Sequence, residues 1–259
     1  MLEYIDINSL PVFLLILVRV AAFFVTLPLF SYRTIPMQFK IGFSFFLAYL
    51  MFYTVDAPVI AVDDMFLFLL MKEALVGLLI GLIAFILISA LQVAGGFIDF
   101  QMGFFLANVI DPQTGAQSPL TGQYFYVFAL LFLLSVNGHH LLIDGIFNSF
   151  QLIPVESFIP LGEERIADLV IETFNQMFVI AFQIAIPIVG CLFLVDVALG
   201  IIARAVPQLN VFVVGLPLKI LVGFIVILFF LVLYIALVEN LFTAMFDVMQ
   251  QLMRLFGGA

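Results

Sequence analysis

GGFIDFQMGFFLANVIDPQTGAQSP, residues Gly95 to Pro119, separates two long apolar runs and follows the rules of neither. Paired glycines open it, Asp99 and Gln101 interrupt it, and a small-apolar patch runs from Gly103 to Ile110. Asp111-Pro112 then stops any helix, because the proline ring disfavours helical geometry in the residue before it. The tail QTGAQSP is turn and loop chemistry. In an apolar chain, irregular polar backbone is tolerated only where protein covers it or where it lines a wet cavity. The stretch is therefore read as a re-entrant element entering a pore. A surface loop between two membrane helices is the plain alternative.

The surroundings of that stretch fix the class. The chain has 259 residues, of which 66% are hydrophobic and 10% charged, with a mean hydropathy of +1.32. Soluble domains carry about 25% charged residues, so an integral membrane protein is expected. Apolar runs approach the roughly 20 residues that cross a hydrocarbon core. They are Pro11–Phe30, Ile41–Val55, Phe66–Leu91, Tyr124–Ser135, Phe178–Ile202 and Val211–Val238. The fold class read from them is all-α, polytopic, built from kinked helical hairpins around a re-entrant loop. The acidic start MLEYIDINSLP lacks the basic region of a cleavable signal peptide, so the first run is expected to be retained. The net charge of −9 speaks against a nucleic-acid partner, which would want a basic face. Cys191 is the single cysteine and offers no disulfide framework.

The connectors alternate in charge. Ser31–Lys40 carries Arg33 and Lys40, while Asp56–Asp64 is acidic; Gln151–Glu172 is acidic apart from Arg165, while Ala203–Lys219 carries Arg204 and Lys219. If Phe97–Ile110 dips in and returns, both basic connectors share one face. The positive-inside rule then makes them cytoplasmic and puts both termini outside. An internal echo supports paired hairpins: Arg33-Thr-Ile-Pro36 and Arg204-Ala-Val-Pro207 each open a basic, proline-broken corner.

Charges inside apolar runs cost about 2.5–3.5 kcal/mol at mid-bilayer and face a partner or a wet cavity. Arg19, Glu73, Asp99, Gln101 and Asp196 are the intramembrane polar candidates, with Lys72, Asp144 and Glu239 in or beside the runs. For Lys72-Glu73, solvated positions near the start of a run are an equally good reading. Pro187 is expected to kink the fifth run. Gly77 and Gly81 have the spacing that lets helices approach closely. His139 and His140 are adjacent, point about 100° apart on a helix, and do not chelate together. Catalytic, metal and cofactor motifs are not found.

Three motifs remain: G-x-I-D-x-Q-x-G…D-P (Gly96–Pro112), the Asn137-Gly138-His139 corner, and R-A-V-P-Q-L-N-V-F (Arg204–Phe212) with a later G-x-P-x-K ending at Lys219. On these, across nearly its whole length, the chain resembles the FliR family of flagellar type III export-gate proteins of the bacterial inner membrane. The resemblance implies one domain over 1–259: N-terminal hairpins (1–95), a plug segment (96–120), and C-terminal hairpins ending in a FliQ-like unit (121–259). It implies assembly with FliP and FliQ, and with other export-apparatus membrane proteins, in a pore that passes unfolded flagellar proteins through the cell membrane at the flagellar basal body. It also implies an internal loop plug made of Gly103, Phe104, Phe105, Leu106, Val109, Ile110, Asp111 and Pro112. Arg204, Pro207, Gln208, Asn210 and Lys219 are the candidate subunit-assembly residues. Membrane lipid is a further expected contact, and neither a cofactor nor catalysis is expected. Two other readings stay open from the residues themselves. One is a secondary transporter built on pseudo-repeats. The other is a membrane enzyme using His139 and Asp144, which are poorly spaced for one helix face.

Overall fold

A computed structural model describes residues 9–28, 30, 35–55, 57–58, 60–104, 119–160, 162, 164–208 and 210–258. The fold is all-α. In chain order the helices are α1 (Leu10–Thr26), α2 (Met37–Phe52), α3 (Asp64–Met102), α4 (Leu120–Ser135), α5 (Gly138–Leu152), α6 (Glu164–Ala205) and α7 (Val211–Phe256). Contacts group the chain into two compact units. One comprises Met1–Leu87, Val136–Phe174 and Thr243–Ala259; the other comprises Ile88–Ser135 and Asn175–Phe242. By length and composition α3, α6 and α7 can each cross a membrane, and α4 with α5 can do so if they are one broken span.

In the first unit, α1 begins with proline in its first turn, where the missing N–H would have no helical partner anyway. It ends at Leu27, which is extended at φ −62° and ψ 124° because Pro28 follows. Its buried face, Val12, Leu15, Ile16, Arg19, Val20 and Phe23, has the three-and-four spacing of one helical stripe. Phe13 packs edge-on against Phe45 at 5.3 Å and Phe52 at 6.0 Å, which joins α1 to α2. Gly77 and Gly81 set α3 against α1. A Cβ at Gly77 would run into the Arg19 carbonyl, and one at Gly81 into Thr26. The small-residue spacing thus serves helix contact, as expected. The α4–α5 break falls at Asn137, whose φ of 58° is left-handed, a conformation asparagine tolerates better than most residues.

In the second unit, Phe125 of α4 stacks on Tyr234 of α7 at 4.7 Å. The Tyr234 hydroxyl donates to the Phe125 carbonyl at 2.5 Å, so the phenol is not left unpaired in an apolar setting.

The helices depart from the sequence reading in three places. First, α3 runs unbroken through Gly95 and Gly96 to Met102, so the glycine pair does not open an irregular segment. Second, α5 and the last turns of α7, beyond Val238, are helical although they lie outside the apolar runs. Third, α6 begins at Glu164, inside the stretch expected to be a connector.

Candidate functional site

The candidate site is the root of the segment that leaves α3. Gly103 ends that helix with a φ of 90°, a left-handed geometry that glycine adopts without the Cβ penalty. The Phe104 N–H donates to the Asp99 carbonyl at 2.9 Å and the Gly103 N–H to the Phe100 carbonyl at 3.2 Å. That pair of bonds is the Schellman motif, which satisfies carbonyls a helix end otherwise leaves open. The chain therefore turns away at the Gln101-Met102-Gly103 step.

On the returning side, α4 starts beside the same turn. The Asp99 carboxylate accepts from the Thr121 N–H at 3.2 and 3.3 Å and from the Thr121 hydroxyl. A carboxylate at a helix N-terminus satisfies orphan N–H groups and favours the positive end of the dipole. Here it is supplied by another helix rather than by the preceding residue. The approach is close because both helices present glycine: a Cβ at Gly95 would overlap the Gly122 backbone, and one at Gly122 would lie 3.0 Å from the Gln92 Cα. This close packing accounts for the glycine at position 95.

On the other side of the α3 end lie α6 and α7. The Gln101 amide donates to Asp196 Oδ2 at 2.7 Å. Lys219 reaches both oxygens of the same carboxylate, at 3.0 Å each. A Cβ at Gly223 would sit 2.6 Å from the Met102 Cε. Phe104 faces Phe224 with ring centroids 6.3 Å apart. Phe104, Leu120, Tyr124, Phe224 and Ile227 line an apolar cavity of about 380 Å³.

The structure thus brings together Asp99, Gln101, Asp196 and Lys219, which stand far apart in sequence, around the Gly103–Phe104 exit. Phe105, Leu106, Val109, Ile110, Asp111 and Pro112 lie outside the described residues. Lys219, grouped by sequence with the Arg204–Asn210 corner, pairs with Asp196. In that corner Arg204, Pro207 and Gln208 are exposed. The Asn210 side chain accepts from the N–H groups of Phe212 and Val213 at 3.2 and 3.4 Å, a helix cap for α7.

Arg19 and Glu73 form a separate cluster in the first unit. Arg19 Nη2 donates to Glu73 Oε1 at 2.9 Å and Nε donates to Oε2. Its remaining donors reach the Ser149 carbonyl at 3.0 Å and the Ile153 carbonyl at 2.9 Å. The guanidinium lies 4.1 Å from the centre of the Phe150 ring. Lys72 pairs with Glu73 at 2.5 Å and donates to the carbonyls of Pro154 and Val155 at 3.1 and 2.9 Å. Arg19 and Glu73 are 0% exposed and Lys72 5%, so the solvated reading of Lys72-Glu73 does not hold. The carbonyls at the end of α5 are good cation partners, and Glu73 supplies the countercharge. Sequence reasoning missed Ser149 and Phe150, neither of which carries a charge. His139 and His140 stack 4.1 Å apart, and no metal-binding group forms among the described residues.

Residues 10–245 match the family described as "Bacterial export proteins, family 1". The chain belongs to this family. It is 55% identical to "Flagellar biosynthetic protein FliR" of Bacillus subtilis (strain 168), over 97% of this chain and 98% of that one. It is 29% identical to the protein of the same name from Escherichia coli (strain K12), over 90% and 89%. It is also 34% identical to "Yop proteins translocation protein T" of Yersinia pestis, over 79% and 80%. These place it in the FliR branch of the export family. It is an all-α member with several membrane-capable helices. The relatives are named for biosynthesis and translocation rather than for an enzymatic reaction.

Proposed function

We propose that this chain is a core subunit of the flagellar type III export gate in the bacterial cytoplasmic membrane. It assembles with FliP and FliQ around a pore that passes unfolded flagellar proteins, and the segment after Gln101 plugs that pore when it is idle. Its termini face outward, and the Arg33–Lys40 and Arg204–Lys219 corners face the cytoplasm, where Arg204, Pro207, Gln208 and Asn210 contribute to subunit contacts. The role is structural rather than catalytic.

One observation carries the assembly part. Helices α3, α6 and α7 are 39, 42 and 46 residues long, or about 58, 63 and 69 Å at ~1.5 Å per residue. The most apolar window of α3 is 61% buried, whereas those of α6 and α7 are 28% and 22% buried. On α6, exposed apolar side chains extend from Ile171 (67%) to Ile201 (65%), about 45 Å along the helix. A hydrocarbon core is about 30 Å thick. Lipid alone does not match that apolar length, and neighbouring protein subunits do.

For the plug, the supports are the turned-away helix end and the uncharged, mostly apolar run Phe104–Ile110. An apolar constriction holds ions back because wetting it is unfavourable, and one added charge reverses that. Leu106→Asp is therefore expected to let small ions leak through an assembled, idle gate. Membrane potential and ion leakage in cells producing the complex measure this, with a pull-down to confirm assembly. An intact complex carrying Leu106→Asp that stays ion-tight overturns the plug reading.

A further inference from the structure

We propose that Gln101 is a positioning residue. Its amide tethers the last turn of α3 to the Asp196–Lys219 pair on α6 and α7, and so fixes the point from which the plug segment departs. The proposal rests on the plug reading and adds to it the device that holds the plug in register.

The geometry gives each group one task. Asp196 is a carboxylate on an apolar helix, a position that calls for a partner. Lys219 provides the countercharge to both oxygens at 3.0 Å, and its side chain is only 16% exposed. Gln101 then donates to Oδ2 at 2.7 Å. A hydrogen bond to an ionised acceptor is about twice as strong as a neutral one. The ion pair is complete without Gln101, because Lys219 engages both oxygens, so the amide's contribution is to hold the α3 end.

The tether sits in the last full turn before the chain leaves the helix. Gln101 is two residues before Gly103, whose left-handed φ sets the exit direction. On the returning side, Asp99 of the same turn holds Thr121 at the start of α4. Asp99 and Gln101 lie about 200° apart on the helix at ~100° per residue, so they grip opposite neighbours. The two ends of segment 104–120 are thereby pinned independently. Thr121 fixes where the chain comes back, and Gln101 fixes where it leaves.

Gln101→Met removes the amide at nearly constant length and volume and leaves the Asp196–Lys219 pair intact. It is to be compared with wild type and with a deletion of Phe104–Ile110, each as the full assembled complex purified with its partners and reconstituted in vesicles. Ion leak, complex yield and thermal stability are measured on all three. The expected result is a leak for Gln101→Met at least threefold above wild type and below that of the deletion, with yield and stability unchanged. If the deletion leaks and Gln101→Met stays as tight as wild type, the tether is wrong and the plug stands. If neither leaks, the plug reading fails and the tether fails with it. If Gln101→Met loses yield or stability in step with any leak, Gln101 is a packing residue and the positioning role is overturned.

Discussion

Glu73→Gln is expected to remove most of the folded protein from the membrane. The substitution leaves Arg19 and Lys72, 0% and 5% exposed, without the carboxylate both are ion-paired with. Removing one partner of a buried ion pair costs about 3–5 kcal/mol, because the remaining charge has no compensation. Here two cations lose the same partner, which puts the effect at the upper end of that range. The carbonyls of Ser149, Ile153, Pro154 and Val155 still accept hydrogen bonds, but they bring no net charge. Glu73→Gln combined with Arg19→Met is expected to recover part of the loss, since only Lys72 then stays uncompensated. Membrane-fraction abundance and unfolding temperature in detergent measure both variants. Normal abundance and stability for Glu73→Gln would show that the cluster does not hold the first unit together.

Gly95→Leu is expected to open the contact between α3 and α4. A Cβ at that position overlaps backbone atoms of Gly122, and backbone cannot move aside as the tip of a side chain can. Overpacking a well-filled core costs about 1–3 kcal/mol, and a clash with helix backbone belongs above that range. The separation also breaks the hold of Asp99 on Thr121, so the returning end of segment 104–120 loses its anchor. Gly96→Ala is the matched control, because a Cβ there would meet only Pro119, at an ordinary 3.6 Å. Limited proteolysis of the complex reads the difference: early cleavage near position 120 in Gly95→Leu, and a wild-type pattern in Gly96→Ala. Identical patterns in the two variants would mean that Gly95 is not a packing requirement.

These two sites show which parts of the fold the sequence made legible. Apolar run lengths located α1, α2 and α4 and more than half of each of α3, α6 and α7, because hydrophobicity at the scale of a membrane is a local signal. The exit at Gly103 was legible only through the family resemblance, which starts the plug segment there. Gly95-Gly96 misled. Glycine breaks helices and also lets them touch, and the residue that decides between these, Gly122, lies on another helix. Helix α5 escaped because its buried residues Leu142, Ile146 and Phe150 form a stripe rather than a continuous run. The first turns of α6 carry Glu164, Asp168 and Glu172 and read as a solvated connector. Lys72-Glu73 could equally be read as solvated because the Pro154 and Val155 carbonyls just past α5, invisible to any charge count, receive the lysine. The pairing of Asp196 with Lys219 and Gln101 was beyond reach for a similar reason. Each residue was conspicuous alone, but only the fold says which of them meet.

In the proposed assembly, neighbouring protein, more than lipid, is the solvent for the long exposed helices. Photo-reactive residues placed singly at Ile171, Ile186 and Ile201, which are 67%, 61% and 65% exposed on α6, test it in native membranes with the export apparatus intact. The stretch from the first to the last is about 45 Å and exceeds one hydrocarbon thickness. Adducts to partner subunits are expected at one end of this stretch or more, with lipid adducts confined to the remainder. Lipid adducts at all three positions, with no protein adduct at any of them, would contradict the proposed assembly.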